Sequence, residues 1–415
     1  MRIGQVSEKY GISVDNLYYY IQYGLLVPPR PKSQYVFDEK TLKDLELVLE
    51  LKGLDFSLNE IHKILSLYRV SHLADPQDCQ ELKALFQGKQ RSCIQEKERL
   101  EAVIRRLGGK IWELSQKQER QKDRIGLPVR MLDLLCCPLC GGNLQISQAD
   151  MDLVYLHNGN VSCPCGYQAQ VREGILLTPH RERSLHDRPD TDRELYKDLP
   201  PALLSLFERS YNWMGDRLKR MDLAGRAIME TYVNAWCFMH NHLGWLPSAG
   251  RYILVDKYPE TLHMYKKLIE EQEQGMDVLY IADSSMCLPL KEGCIDLHLD
   301  FFAANEHNFY HHSFLYNEMQ KFMAIDARLV GTYFYFENGR KSMKNLLAQY
   351  PEAYEKNFDR DQFLAEMERS GYRLLQWEDC GQTMDSGANL GFGFHQKGEE
   401  MHLMPYMAER LLKKS

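Results

Sequence analysis

The sequence predicts a multidomain α and α/β protein. A helix-turn-helix stands at the N-terminus, followed by a long helix, a small zinc ribbon and a Rossmann-like domain. Three observations carry this. Two short amphipathic helices meet at Gly11-Ile12, two close cysteine pairs lie between residues 137 and 165, and the last two hundred residues alternate apolar strands with helices. At 415 residues the chain has room for two to four domains, and its 44% apolar content suffices for cores.

The charge balance narrows the function. A formal net charge of −7 excludes nucleic-acid binding as a property of the whole surface. Residues 1–70 carry nine Lys or Arg against nine Asp or Glu, so any DNA affinity there must come from local placement. No window is apolar enough to span a bilayer, and the first residues lack the apolar run of a signal peptide, so a cytoplasmic location is expected. Eleven cysteines in such a chain point to metal ligands and free thiols more than to disulfides.

In the first segment, Ile3, Val6 and Tyr10 share one helical face, Gly11 makes the turn and Ser13 can cap a second helix. In a helix-turn-helix the second helix enters the DNA major groove. Pro28, Pro29 and Pro31 end it. Apolar residues then recur at Leu42, Leu45, Val48 and Leu49, and Ser57-Leu-Asn-Glu60 forms a capping box ahead of Ile61, Ile64 and Leu65.

Residues 13–26 and 54–61 resemble the DNA-binding domain of MerR-family transcriptional regulators. Ser13, Leu17, Tyr19, Tyr20, Gly24, Leu25 and Leu26 match one block, and Leu54-Asp-Phe-Ser-Leu-Asn-Glu-Ile61 matches the other. The resemblance implies a winged helix-turn-helix over 1–75, with DNA contacts from Ser13, Asn16, Tyr18, Tyr19, Tyr20, Arg30, Lys32 and Tyr35. It implies a homodimer on promoter double-stranded DNA, acting through RNA polymerase. Asn16 replaces the family's usual Thr, Tyr18 replaces an Arg, and the wing lacks its Gly-Tyr-Arg.

Over residues 76–126, Phe86, Gln90, Cys93, Lys97, Leu100, Ile104, Leu107, Ile111 and Leu114 are spaced alternately four and three apart. That is a coiled-coil seam, placed where the family dimerises. Gly108-Gly109 predicts a bend or the helix end.

Residues 130–178 hold Cys137-Pro-Leu-Cys140-Gly-Gly and Cys163-Pro-Cys165-Gly. Soft thiolates suit tetrahedral zinc, and glycines let each knuckle turn under the metal. Residues 153–156 and 167–171 read as the ribbon's strands. Four cysteines close the coordination sphere, so the expected Zn2+ is structural. The module resembles zinc ribbons found ahead of some bacterial methyltransferase domains. Residues 179–200, charged and proline-bearing, read as a linker.

Residues 202–246 read as helical and aromatic-rich. Beyond them, 251–256, 277–283, 294–302 and 328–336 read as strands, 261–273 and 361–370 as helices, with late strands near 373–377 and 391–394. Such alternation implies a parallel sheet with ligands at the strands' carboxyl ends. Residues 201–415 resemble class I S-adenosylmethionine-dependent methyltransferases. Asp256 and Asp283 stand where the family's ribose- and adenine-binding acids end their strands, and Leu288-Pro-Leu-Lys-Glu-Gly-Cys-Ile-Asp296 matches the family's L-P-F-x-D-x-S-F-D. The resemblance implies a cofactor site of Glu230, Asn234, Asp256, Lys257, Asp283 and Ser284. Its glycine-rich first loop is missing: Asn234, Ala235 and Trp236 stand there. The expectation is a regulator whose methyltransferase-like domain senses a small molecule, S-adenosylmethionine first among the candidates, with no catalytic residue. The alternative is an active methyltransferase coupled to a DNA-binding domain.

Overall fold

The computed structural model describes residues 1–31, 34–70, 75–116, 125–181, 188–189, 191–272 and 275–411. The chain forms two compact units, 1–121 and 122–415.

The first unit is helical: α1 Ile3–Tyr10, α2 Val14–Gln22, α3 Glu39–Gly53, α4 Leu58–Val70 and α5 Pro76–Gln116. Side chains set the helix starts. Ser13 Oγ accepts from the Asn16 N–H at 3.2 Å, and Asp38 Oδ1 from the Thr41 N–H at 2.8 Å. The Ser57–Glu60 box closes both ways, at 2.7 and 3.3 Å. Each such cap is worth ~1 kcal/mol. Val6, Leu17, Tyr20, Leu45, Ile61 and Leu65 form one core. Arg69 on α4 donates to the Gly24 carbonyl at 3.0 Å and pairs with Asp44 at 2.8 Å, tying the end of α2 to α3.

Helix α5 runs for 41 residues, roughly 60 Å at the α-helical rise. Its first turns pack on the same core through Leu82, Leu85 and the Phe56–Phe86 ring pair at 5.2 Å. Gly108 and Gly109 do not end it. Both stand in open space, and a local cost of ~1 kcal/mol each is absorbed by strong helix formers on either side.

The second unit is built on one sheet. Its strands are β1 Leu127–Pro128, β2 Gln145–Met151, β3 Tyr155–Ser162, β4 Gln168–Arg172, β5 Ile175–Leu177, β6 Ala227–Thr231, β7 Arg251–Asp256, β8 Asp277–Ala282, β9 Ile295–Phe301, β10 Met323–Phe336, β11 Tyr372–Trp377, β12 Gln382–Thr383 and β13 Met401–Arg410. Its helices are α6 Pro201–Leu218, α7 Phe238–His242, α8 Pro259–Glu270, α9 Ala303–Tyr310, α10 Leu315–Met319, α11 Arg340–Gln349 and α12 Arg360–Arg369.

The strand order is β1-β3-β4-β5-β8-β7-β6-β9-β10-β13-β11. The stretch β8-β7-β6-β9-β10 is parallel, and β13 enters antiparallel between β10 and β11. Chain order reverses between β6 and β9, which makes their carboxyl ends the switch point of a doubly wound sheet. Alternate residues of the central strands feed cores on the two faces: Met229, Ile253 and Leu279 on one, Ile228, Leu254 and Tyr280 on the other. The cysteine-bearing strands join this same sheet, because β5 pairs in parallel with β8 from Ile175↔Tyr280 to Leu177↔Ala282.

Several boundaries differ from the sequence expectation. Residues 391–394 form a turn, and the last strand is β13. Gly391 sits tight against the Leu195 carbonyl, while Phe392 and Phe394 turn inward. Pro405 obscured β13, since proline is rare in a central strand. Its carbonyl accepts from Glu378 at 3.1 Å, so its ring nitrogen faces the side where β11 has already ended. Leu153 is 98% exposed in the turn before β3, so the ribbon strand starts two residues later than expected, and β2 is exposed along its whole length. The 179–200 segment is tied down where it is described: Ser284 N–H donates to the His180 carbonyl, and Gly391 N–H to that of Leu195. No described helix is long and apolar enough to cross a membrane.

Candidate functional site

On α2 the structure separates the expected DNA-facing residues. Tyr18 and Tyr19 are 42% and 49% exposed, and Asn16 is exposed with them. Tyr20 is a correction: it is buried in the core, because the helical period that presents Tyr18 and Tyr19 turns Tyr20 inward beside Leu17. Ser13 is committed to capping. Tyr35 lies edge-on to Tyr18 at 6.0 Å, with the Arg30 guanidinium 4.9 Å above its ring. Helix and loop residues therefore make one aromatic and cationic face. Lys32 lies outside the described residues.

The four cysteines converge. The Sγ atoms of Cys137, Cys140, Cys163 and Cys165 all lie within 4.8 Å of one another, with Cys137–Cys165 at 3.4 Å and Cys140–Cys163 at 3.5 Å. Tetrahedral zinc with thiolates at about 2.3 Å needs sulfurs ~3.8 Å apart, so the donor set fits. The knuckles turn at Gly141 (φ 71°) and Gly166 (φ 104°), whose N–H groups donate to the carbonyls of Cys137 and Cys163. Burial pushes the Cys137 thiol up, but the backbone N–H groups of Leu139 and Cys140, together with the Cys165 and Cys163 thiols, outweigh this and lower it to about 7.

The residues expected around a cofactor are engaged elsewhere. Glu230 is fully buried, and its carboxylate accepts from Phe238 N–H at 2.7 Å and Met239 N–H at 3.0 Å. Burial still raises it to about 7 against those bonds. Asp256 Oδ1 accepts from Tyr258 N–H at 2.8 Å. Lys257 is buried, with its ammonium 3.7 Å from Glu306 Oε1 and 3.4 Å over the Tyr310 ring. Asp283 accepts from Thr178 Oγ1 at 2.6 Å and Ser285 N–H at 2.8 Å, and burial raises it despite these bonds. Ser284 is held by His180 on one side and His311 on the other, the latter 3.0 Å from its carbonyl.

The first loop departs from the glycine-rich form that the resemblance implies. Tyr232, two residues beyond Glu230, takes φ +52°, a conformation suited to glycine, and buries its ring against His307. The residues present do not fit that cofactor in the manner the resemblance implied.

What the switch point does hold is an aromatic cleft of about 100 Å3, partly open to solvent. Tyr232, Asn234 and Trp236 enter it from the end of β6, Phe302 and Glu306 from the end of β9, and Phe392 from the 391–394 turn. Of the six residues expected at a cofactor, Asn234 lines it. The sequence offered a signal, since aromatics crowd 301–302, 309–310, 333–336 and 392–394, but each group reads equally well as core.

Three comparisons bear on these units. Residues 1–67 match the family described as MerR HTH family regulatory protein. An HTH-type transcriptional regulator ZntR homolog of Haemophilus influenzae is 34% identical over 73 residues, 17% of this chain and 54% of its own length. The mercuric resistance operon regulatory protein of Bacillus cereus is 31% identical over 68 residues, covering 16% and 52%. The chain thus spans about half the length of the curated relatives it matches. Among solved structures, geranyl diphosphate C-methyltransferase from Streptomyces coelicolor A3(2) superposes on 48% of this chain and 79% of its own, at 12% identity and a TM-score of 0.38. That remote value decides nothing by itself; the doubly wound sheet stands on its own strand order. The N-terminus of this chain is a MerR-type helix-turn-helix domain.

Proposed function

We propose that the chain is a homodimeric MerR-type transcriptional regulator that binds promoter DNA and senses a small molecule through its second unit. The match over residues 1–67 carries this reading. The exposed Tyr18-Tyr19 face of α2, backed by Arg30 over Tyr35, supplies the groove-facing surface. Dimerisation through α5 is supported by its seam, where Leu100, Ile104, Leu107, Ile111 and Leu114 are all exposed within one chain. A second copy would bury them. Zinc on the four cysteines would be structural, because four thiolates leave no open position. By family resemblance, the dimer would distort its promoter for RNA polymerase.

The test is fluorescence anisotropy on a dyad from the protein's own promoter region, at low salt, against a random duplex of equal length. Preference for the dyad by a hundredfold or more supports the reading, and equal affinity for the two rejects it.

A further inference from the structure

We propose that the switch-point cleft binds a neutral, flat, largely apolar aromatic molecule and not S-adenosylmethionine; this deepens the sensing role above and rests on it. Three observations point there together. Much of the lining is aromatic: Trp236, Phe302, Phe309, Phe334, Tyr350 and Phe392 are among the wall residues. Phe302 and Phe334 stack at 4.1 Å, and Trp236 meets Phe207 edge-on at 4.9 Å, so the surfaces are held in place before any ligand arrives.

Backbone strain is concentrated at the same place. Among the described residues, eight non-glycines have a positive φ, and three of them are aromatic residues of this cleft: Tyr232 (52°), Phe302 (71°) and Phe358 (64°). Such conformations persist only where surrounding bonds hold them, and they gather at ligand clamps. Here Phe302 N–H donates to the Thr332 carbonyl at 3.2 Å, and Phe358 N–H to the Tyr333 hydroxyl at 3.0 Å.

The polar groups of the lining decide the ligand's character. Both ends of the Asn234 amide are used, on the Phe301 carbonyl and the Trp236 N–H. The Asn305 amide is used likewise, at both positions on the Phe334 backbone. Glu306 faces the Lys257 ammonium at 3.7 Å, and Arg188 lines the same cleft, so no excess negative charge invites a cation. The cationic centre of a sulfonium would meet a carboxylate whose charge already faces Lys257 at 3.7 Å, and burying a charge without a partner of its own is costly. A neutral ring system meets no such penalty.

The full-length chain is titrated with neutral N-phenyl-naphthylamine, with fluorescence as the readout. Saturable binding at one probe per chain is expected. Trp236→Ala and Phe392→Ala, both partly buried positions, should each weaken it about tenfold with unchanged circular dichroism. Absence of saturable binding, equal binding by both variants, preference for a flat rhodamine cation, or displacement by S-adenosylmethionine would each overturn the assignment. Dyad binding is measured on the same sample. Intact DNA binding without probe binding sinks the ligand class alone, and probe binding without DNA binding sinks the regulator reading alone.

Discussion

The hydroxyl of Tyr232 lies 2.7 Å from Nδ1 of His307, with both side chains buried. This pair locks an aromatic residue into the turn that leads to Asn234, Ala235 and Trp236, where the resemblance implies a glycine-rich loop. Calorimetry of the full-length protein with S-adenosylmethionine should therefore give no saturable heat up to about 1 mM, which corresponds to roughly 4 kcal/mol of binding. Micromolar binding would show that the loop opens.

Glu230 gives a pH signature. Its folded-state value near 7 lies above the usual carboxylate value of 4.5, because burial outweighs the Phe238 and Met239 N–H bonds. Between those values the folded state holds more protons than the unfolded chain, so this group's contribution falls as pH rises through that window. The loss amounts to roughly 3 kcal/mol by pH 8. His298, buried and lowered to about 3, works oppositely: its contribution is lost as pH falls below about 6.5. Glu230→Gln should remove the alkaline-side decline in melting temperature and leave the acid-side decline. An unchanged profile would place the titration elsewhere.

Elemental analysis of protein purified under reducing conditions should find one zinc per chain. Cys163→Ser should abolish it and lower the melting temperature by about 5–10 °C, the equivalent of roughly 3 kcal/mol in a unit of this size. Full metal retention in that variant, or four freely titrating thiols in the wild type, would refute the centre.

Ile104→Glu combined with Ile111→Glu should convert dimer to monomer in light scattering. Both residues are about two-thirds exposed within one chain, so helix content should persist. A dimer surviving the double substitution would move the interface off the seam.

Local patterns were legible and long-range partners were not. The Ser57–Glu60 box, the Ser13 cap and the cysteine knuckles are set by residues two or three apart, and each formed as read. Asp55, between α3 and α4, takes φ +63°, a conformation aspartate tolerates better than most residues. The acids were read correctly as strand ends, but their partners were invisible. Thr178, which holds Asp283, lies 105 residues away in sequence. The cleft escaped notice for a related reason, since aromatics that line a cavity and aromatics that fill a core share one periodicity.

The pairing of β5 with β8 also governs how the chain can be divided. A fragment beginning after Thr178 would keep every strand of the doubly wound sheet yet leave β8 with a bare outer row of backbone N–H and C=O groups. Such edges recruit strands from other molecules. Excision at that point should yield a self-associating fragment, and the usable cut lies upstream of Leu127, where the cysteine-bearing strands stay attached as the sheet's selvedge.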